Sequence, residues 1–231
     1  AEATTPPDTT EAPTTTAPAP DGPELTEAGD TTVDGTAGSV GDLVPAGAVV
    51  ATATGSATLV WGDGSITRLA PGTEFTVGDG DPSRGELLAG RAWHRVAEQA
   101  AGSTYQVALG GATATAMGTA FVTDCSTSCS VTTLEGVVEV ALDGGDSTPL
   151  EPGVAIVVEA GAFGEPTPVN WDMAFGDPWV LESANADAAA GYPTGIELAE
   201  ALGPRFASLD GTLLASNTVI TNTNPDTGEL A

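Results

Sequence analysis

The chain has 231 residues, with five basic side chains set against 32 acidic ones and a formal net charge of −27. The five are Arg68, Arg84, Arg91, Arg95 and Arg205, and lysine is absent. Nucleic acids are held by cations that displace phosphate counterions, so this balance excludes nucleic-acid binding; an anionic membrane surface would repel the chain as well.

The elements read in chain order as follows. Residues 1–37 are rich in Thr, Pro and acidic side chains, as in Thr14-Thr15-Thr16-Ala17-Pro18-Ala19-Pro20. Such a tract buries no core and favours extended backbone, so an arm or linker is expected there. Residues 38–165 read as a β domain. Val49–Ala53 is a first strand. Thr58–Trp61 and Ser65–Leu69 form a hairpin around Gly62-Asp63-Gly64, because Asp-Gly supplies the positive φ that a tight turn needs. Pro71-Gly72 turns the chain into Thr73–Val77, and Glu86–Val96 gives two short strands broken at Gly90. Tyr105–Leu109 and Ala112–Met117 follow, then Ala120–Thr123, Val131–Leu134 and, past the turn Glu135-Gly136, Val137–Val140. Here Thr and Val dominate and no helical period fits, as β-branched side chains suit a pleated backbone. Leu69-Ala-Pro-Gly72 and Leu150-Glu-Pro-Gly153 are near copies, which suggests a repeated hairpin unit in an antiparallel roll or sandwich.

Residues 166–231 read as a C-terminal extension. Asp177 caps a helix with Pro178 at its first position, and Gly191 stops it. Thr194 and Glu197 make a capping box for a second short helix that ends at Gly203-Pro204. Residues 212–223 read as a terminal strand. No stretch of about 20 apolar residues occurs, so no membrane insertion is expected.

Cys125 and Cys129 flank Ser-Thr-Ser. A disulfide closing so short a loop is worth about 2 kcal/mol on the chain-entropy model and would pin a hairpin tip. A metal pair lacks further ligands, since His94 is the only histidine, and a redox pair normally has two intervening residues. A structural disulfide in an oxidising compartment is expected.

Met117-Gly118-Thr119-Ala120-Phe121-Val122, followed by Val131-Thr-Thr-Leu-Glu135-Gly136-Val-Val-Glu-Val140, resembles the centre of FecR-type domains. Upstream, Ala57-Thr-Leu-Val-Trp61-Gly-Asp63-Gly64-Ser65, Leu69-Ala-Pro71-Gly72-Thr-Glu-Phe75 and Gly85-Glu-Leu-Leu-Ala-Gly90-Arg-Ala-Trp93-His-Arg-Val96 match the same family in the same order. The resemblance spans roughly residues 40–160 and implies an all-β domain outside the cytoplasmic membrane. In the best-known members such a domain relays a signal to an anti-sigma or sigma factor. Trp61, Asp63, Gly64, Pro71, Gly72, Gly90, Trp93, Gly118, Thr119, Phe121, Glu135 and Gly136 enter as structural motif residues, and the resemblance carries no catalytic ones.

The residues themselves agree with a non-enzymatic protein. His94 has no companion nucleophile motif, so packing accounts for it. Asp79-Gly80-Asp81 and Asp143-Gly144-Gly145-Asp146 match no calcium repeat and read as solvated turns. No cofactor or metal is expected. Two functions follow. One is a self-assembling cell-surface filament subunit, a homo-oligomer or polymer whose residues 1–37 or 212–223 reach a neighbouring subunit. It rests on the processed-looking start Ala1-Glu2-Ala3 and on an arm that would order along a neighbour. The other, which the resemblance implies, is a sensory or signal-relay ectodomain of a membrane-anchored regulator, with an envelope protein as partner. The expected location is extracellular or on the cell surface.

Overall fold

Alternation of buried and exposed side chains along short Thr-, Val- and Ala-rich segments sets the architecture. A computed structural model describes residues 22–80, 82–159, 161–170, 174 and 176–192. Within them the chain is mainly β, arranged in two facing sheets with one helix packed outside.

The first sheet runs in the order β1 (Glu24–Ala28), β5 (Ala57–Val60), β6 (Ile66–Leu69), the second half of β8 (Ser83–Arg95), β11 (Ala120–Cys125), β12 (Cys129–Glu135) and β15 (Val154–Glu159). Two short strands, β16 (Ala162–Phe163) and β17 (Thr167–Pro168), pair with the far edge of β15. The second sheet runs β3 (Thr36–Ala37), β2 (Thr31–Val33), β4 (Val49–Thr52), β7 (Glu74–Val77), the first half of β8, β9 (Tyr105–Leu109), β10 (Ala112–Ala116), β13 (Val138–Leu142) and β14 (Ser147–Leu150). All these pairings are antiparallel except that of β8 with β9.

Hairpins alternate between the sheets, and the two Pro-Gly copies are crossing points. Leu69-Ala-Pro71-Gly72 carries the chain from β6 to β7, and Leu150-Glu-Pro-Gly153 from β14 to β15. The expected pair of strands broken at Gly90 is one strand that changes sheets there. Gly90 has φ +80°, and a Cβ on it would lie 2.6 Å from the Gly72 carbonyl oxygen and from Thr73. Both the turn of the backbone and the close approach of the Pro71-Gly72 corner require glycine.

The core between the sheets contains Leu25, Val50, Leu59, Leu69, Phe75, Leu87, Val107, Phe121, Val131, Val140 and Ile156. Ala112, Ala114 and Ala116 of β10 give a small-residue stripe on which larger neighbours close. A second cluster lies on the outer face of the first sheet. There Trp179, Val180 and Ala184 of α1 (Pro178–Ala189) cover Ala70, Trp93, Ala120 and Leu134. The Asp177 carboxylate accepts from the Trp179 N–H, so the cap and the Pro178 start expected from sequence are present.

The expected arm over residues 1–37 needs correction at its described end. Residues 24–37 form β1, β2 and β3; β1 pairs with β5, and Leu25 is fully buried. The acidic composition masks this because one leucine and the backbone ladder do the work, while the burial pattern of β1 is otherwise mostly exposed. Residues 1–21, the helix expected around 196–202 and the strand expected over 212–223 lie outside the described residues.

Candidate functional site

Strand alternation sorts β8 into two chemistries. Ala92 and His94 face the inter-sheet core, and Arg91, Trp93 and Arg95 face outward under α1. Each face builds a distinct polar network.

The inward network is closed. Trp61 Nε1–H donates to Thr67 Oγ1 at 3.1 Å. Thr67 Oγ1 meets the Tyr105 hydroxyl, Tyr105 meets His94 Nδ1 at 3.1 Å, and His94 Nε2 meets Thr123 Oγ1 at 3.0 Å. Thr123 in turn points at the Ala92 carbonyl. A single direction satisfies every group: Trp61 donates to Thr67, Thr67 to Tyr105, Tyr105 to Nδ1, Nε2–H to Thr123, and Thr123 to Ala92. His94 is fully buried and stacks on Phe121 with ring centroids 4.6 Å apart. Burial pushes its pKa down to about 3, so it is neutral at physiological pH. Burial likewise pushes the Tyr105 phenol up. His94 is sealed between the sheets and acts as a core strut.

The outward network fastens α1. Asp187, fully buried, accepts from Arg95 Nε at 2.7 Å, from Trp93 Nε1–H at 2.9 Å and from Arg68 Nη1. Arg95 also pairs with Glu135. Burial works against the Arg95 charge, but Asp187 and Glu135 outweigh it and raise its pKa. Arg91 pairs with the cap Asp177 and lies over the Trp179 ring at 4.9 Å. Burial opposes ionisation of Asp177, yet Arg91 and the N–H groups of Trp179 and Val180 hold its carboxyl below the usual range. Arg84 pairs with Asp63 at 2.8 Å and lies over Trp61. Asp63 is also lowered: partial burial opposes this, but the Ser65 N–H, the Gln99 amide and Arg84 prevail. Every described arginine of this acidic chain is therefore spent on internal fastening.

Where the outward network meets the end of α1, a groove of about 490 Å³ opens. Its walls are Arg95–Glu98, Met117–Thr119, Glu135 and Tyr192. Met117 is 56% exposed, one of several large apolar side chains at the surface of the described residues. The two loops abut: a Cβ on Gly136, whose φ is +68°, would lie 2.7 Å from Thr119 Cγ2. Two polar atoms at the groove have no hydrogen-bond partner, Arg95 Nη2 and Thr119 Oγ1. The Tyr192 ring lies over the Arg95 guanidinium at 5.7 Å, and its hydroxyl donates to the Gly64 carbonyl at 3.2 Å.

The motif residues named from sequence divide between support and groove. Phe121 and Trp61 lie in the inter-sheet core and Trp93 under α1. Asp63 and Gly64 make the β5–β6 turn, where Asp63 accepts from the Ser65 N–H. Pro71 and Gly72 form an exposed turn against Gly90. Gly118, Thr119 and Glu135 line the groove, and Gly136 lies against Thr119. Cys125 and Cys129 face each other at the tip of the β11–β12 hairpin with their Cα atoms 4.1 Å apart and their sulfurs bonded. Sequence reasoning missed Arg68, Asp187 and Tyr192. The available signal was the spacing Arg91, Trp93, Arg95, which places two cations on one strand face that must find anions.

Among the described residues no group of His, Cys, Asp and Glu forms a metal-binding cluster, and no helix is long and apolar enough to cross a membrane.

The model of the family described as FecR protein matches residues 48–139, inside the span of the motif resemblance. No curated protein matches the chain significantly. Two crystal structures of a candidate anti-sigma factor from Parabacteroides distasonis ATCC 8503 are similar to it. One is 20% identical with a TM-score of 0.45, covering 52% of this chain and 59% of that one. The other is 19% identical with a TM-score of 0.47, covering 62% and 74%. The chain thus spans less than two thirds of the first of these.

Proposed function

From the premise that residues 48–139 are a FecR-type domain, we propose that this chain is a non-enzymatic signal-relay domain. It works outside the cytoplasmic membrane by contact with an envelope protein. The family match is the observation that carries the reading. Three features support it. The only histidine is sealed in the core, leaving no acid–base group of that kind at the surface. The groove joins one exposed apolar side chain, Met117, to unpartnered polar atoms, which suits a protein contact. The Cys125–Cys129 hairpin tip suits an oxidising compartment. The filament reading draws no comparable support, because it rests on residues 1–37 and 212–223 reaching a neighbour. The described part of the first segment, residues 22–37, folds against its own domain through β1 and β5.

The test is an in-frame deletion of residues 48–139 in the native host, followed by transcript profiling and electron microscopy of the cell surface. The relay predicts a changed, coherent set of transcripts with the surface unaltered. Loss of surface fibres with transcription unchanged would overturn it and return the filament.

A further inference from the structure

Two residues that line the groove beside Met117, Arg95 and Thr119, carry buried polar atoms without a hydrogen-bond partner. Arg95 is 3% exposed and Thr119 4% exposed, yet Nη2 of the first and Oγ1 of the second have no partner. Buried donors without acceptors are costly and are normally satisfied. Arg95 Nη2 can only donate and Thr119 Oγ1 can donate or accept, so acceptor oxygens suit both.

Charge decides which kind of acceptor. Arg68 and Arg95 face Asp187 and Glu135, so the cluster beneath the groove is already balanced. Glu98 adds a further carboxylate to the rim, and the whole chain is strongly negative. An incoming carboxylate or phosphate would meet net repulsion. A main-chain carbonyl would not. Met117 offers an apolar contact on the same rim, and Glu98 and Glu135 would favour a cation alongside.

Resting on the relay reading above, we propose that the groove docks an extended, acid-free segment of a partner polypeptide that carries a basic residue between apolar ones. Its backbone carbonyls accept from Arg95 Nη2 and Thr119 Oγ1, its apolar side chain covers Met117, and its cation lies by Glu98 and Glu135. The Tyr192 ring, held by one hydrogen bond to Gly64, moves aside from Arg95 as the segment enters.

The experiment titrates the full chain with acetylated, amidated pentapeptides of sequence Ala-Leu-Xaa-Val-Ala, where Xaa is arginine, glutamine or glutamate. NMR signals of the Met117 methyl, the Arg95 Nε–H and the Tyr192 ring report binding. The arginine peptide should shift all three saturably and bind about tenfold tighter than the glutamate peptide, with glutamine between. Thr119→Val should weaken the arginine peptide about fivefold, the loss of one hydrogen bond, without lowering Tm, since that hydroxyl has no partner to lose. Thr133→Val is the control. Its hydroxyl is equally unpartnered but lies in the sealed core, so Tm should hold and peptide affinity should not change. Absence of shifts, equal or tighter binding of the glutamate peptide, or identical affinity in Thr119→Val would each overturn the proposal. Failure here with the transcript change intact would remove the docking chemistry and leave the relay standing. Binding here with silent transcripts would do the reverse.

Discussion

Replacing Asp187 with alanine tests whether the buried carboxylate latches α1 to the sheet. The change leaves two guanidinium groups, Arg68 and Arg95, without their shared partner, and removes the acceptor of Trp93 Nε1–H. Breaking one side of a buried ion pair costs about 3–5 kcal/mol. Against this, docking of α1 buries Trp179 and Val180, worth about 2 kcal/mol each by transfer, plus the smaller Ala184. The two sums are of the same size. The least costly response is therefore local: α1 lifts, water reaches Arg68, and the two-sheet core survives, its Leu25, Phe75 and Phe121 untouched. Hydrogen exchange should show protection across Pro178–Ala189 falling by about 10²–10⁴-fold, the equivalent of 3–5 kcal/mol. Strand amides of β10 and β13 should change little. Asp177→Ala, which removes a cap and the Arg91 pair at the exposed end, should cost nearer 1 kcal/mol. If Asp187→Ala left α1 protection within about threefold of the parent, the latch would be wrong. An equal drop throughout both sheets would show that helix and core form one cooperative unit.

Four further outcomes follow from the fold. His94 is neutral when folded, with a pKa of about 3 against about 6.5 unfolded. The unfolded state then binds the extra proton, so stability is full above pH 6.5 and falls as pH drops toward 3; urea midpoints for His94→Gln should lack the part of this slope between pH 5 and 6.5. The donor chain from Trp61 to Ala92 also requires the proton on Nε2, which the imidazole ¹⁵N shifts of His94 report, and an Nδ1–H tautomer would contradict it. Gly90→Ala should destabilise by several kcal/mol, because it combines a positive φ with a 2.6 Å approach to Gly72 and Thr73; a loss under about 1 kcal/mol would show that the sheet-crossing corner yields easily. Replacing Cys125 and Cys129 with serine should cost about 2 kcal/mol, given the short loop they close, with Tm measured in parent and variant.

Most of the strand order was legible because turn chemistry punctuates it. Asp63-Gly64, Pro71-Gly72, Glu135-Gly136 and Leu150-Glu-Pro-Gly153 all sit where the chain turns or changes sheets. Period-two alternation along β8 sets Trp93 and Arg95 opposite His94. The first strands were hidden by composition. Yet Asp34-Gly35, with φ values of 49° and 75°, carries the β2–β3 turn and is the same Asp-Gly signal recognised elsewhere. Gly118, Thr119 and Glu135 of the groove were legible as motif residues. Asp187 beneath it and Tyr192 on its wall were not, and both lie about 90 residues from the strand they meet. No local pattern connects a helix carboxylate to a strand arginine across that separation. Only the imbalance of charge hinted that each arginine would be committed.

If this domain relays a signal by gripping another protein at the groove, photo-crosslinking in living cells captures that grip, with p-benzoylphenylalanine placed at position 117 and, as a control, at Val40, which is 67% exposed. One discrete adduct with a different envelope protein is expected from position 117, absent at position 40 and competed by the arginine peptide. A ladder of multiples of the chain itself, or equal adducts from both positions, would contradict it.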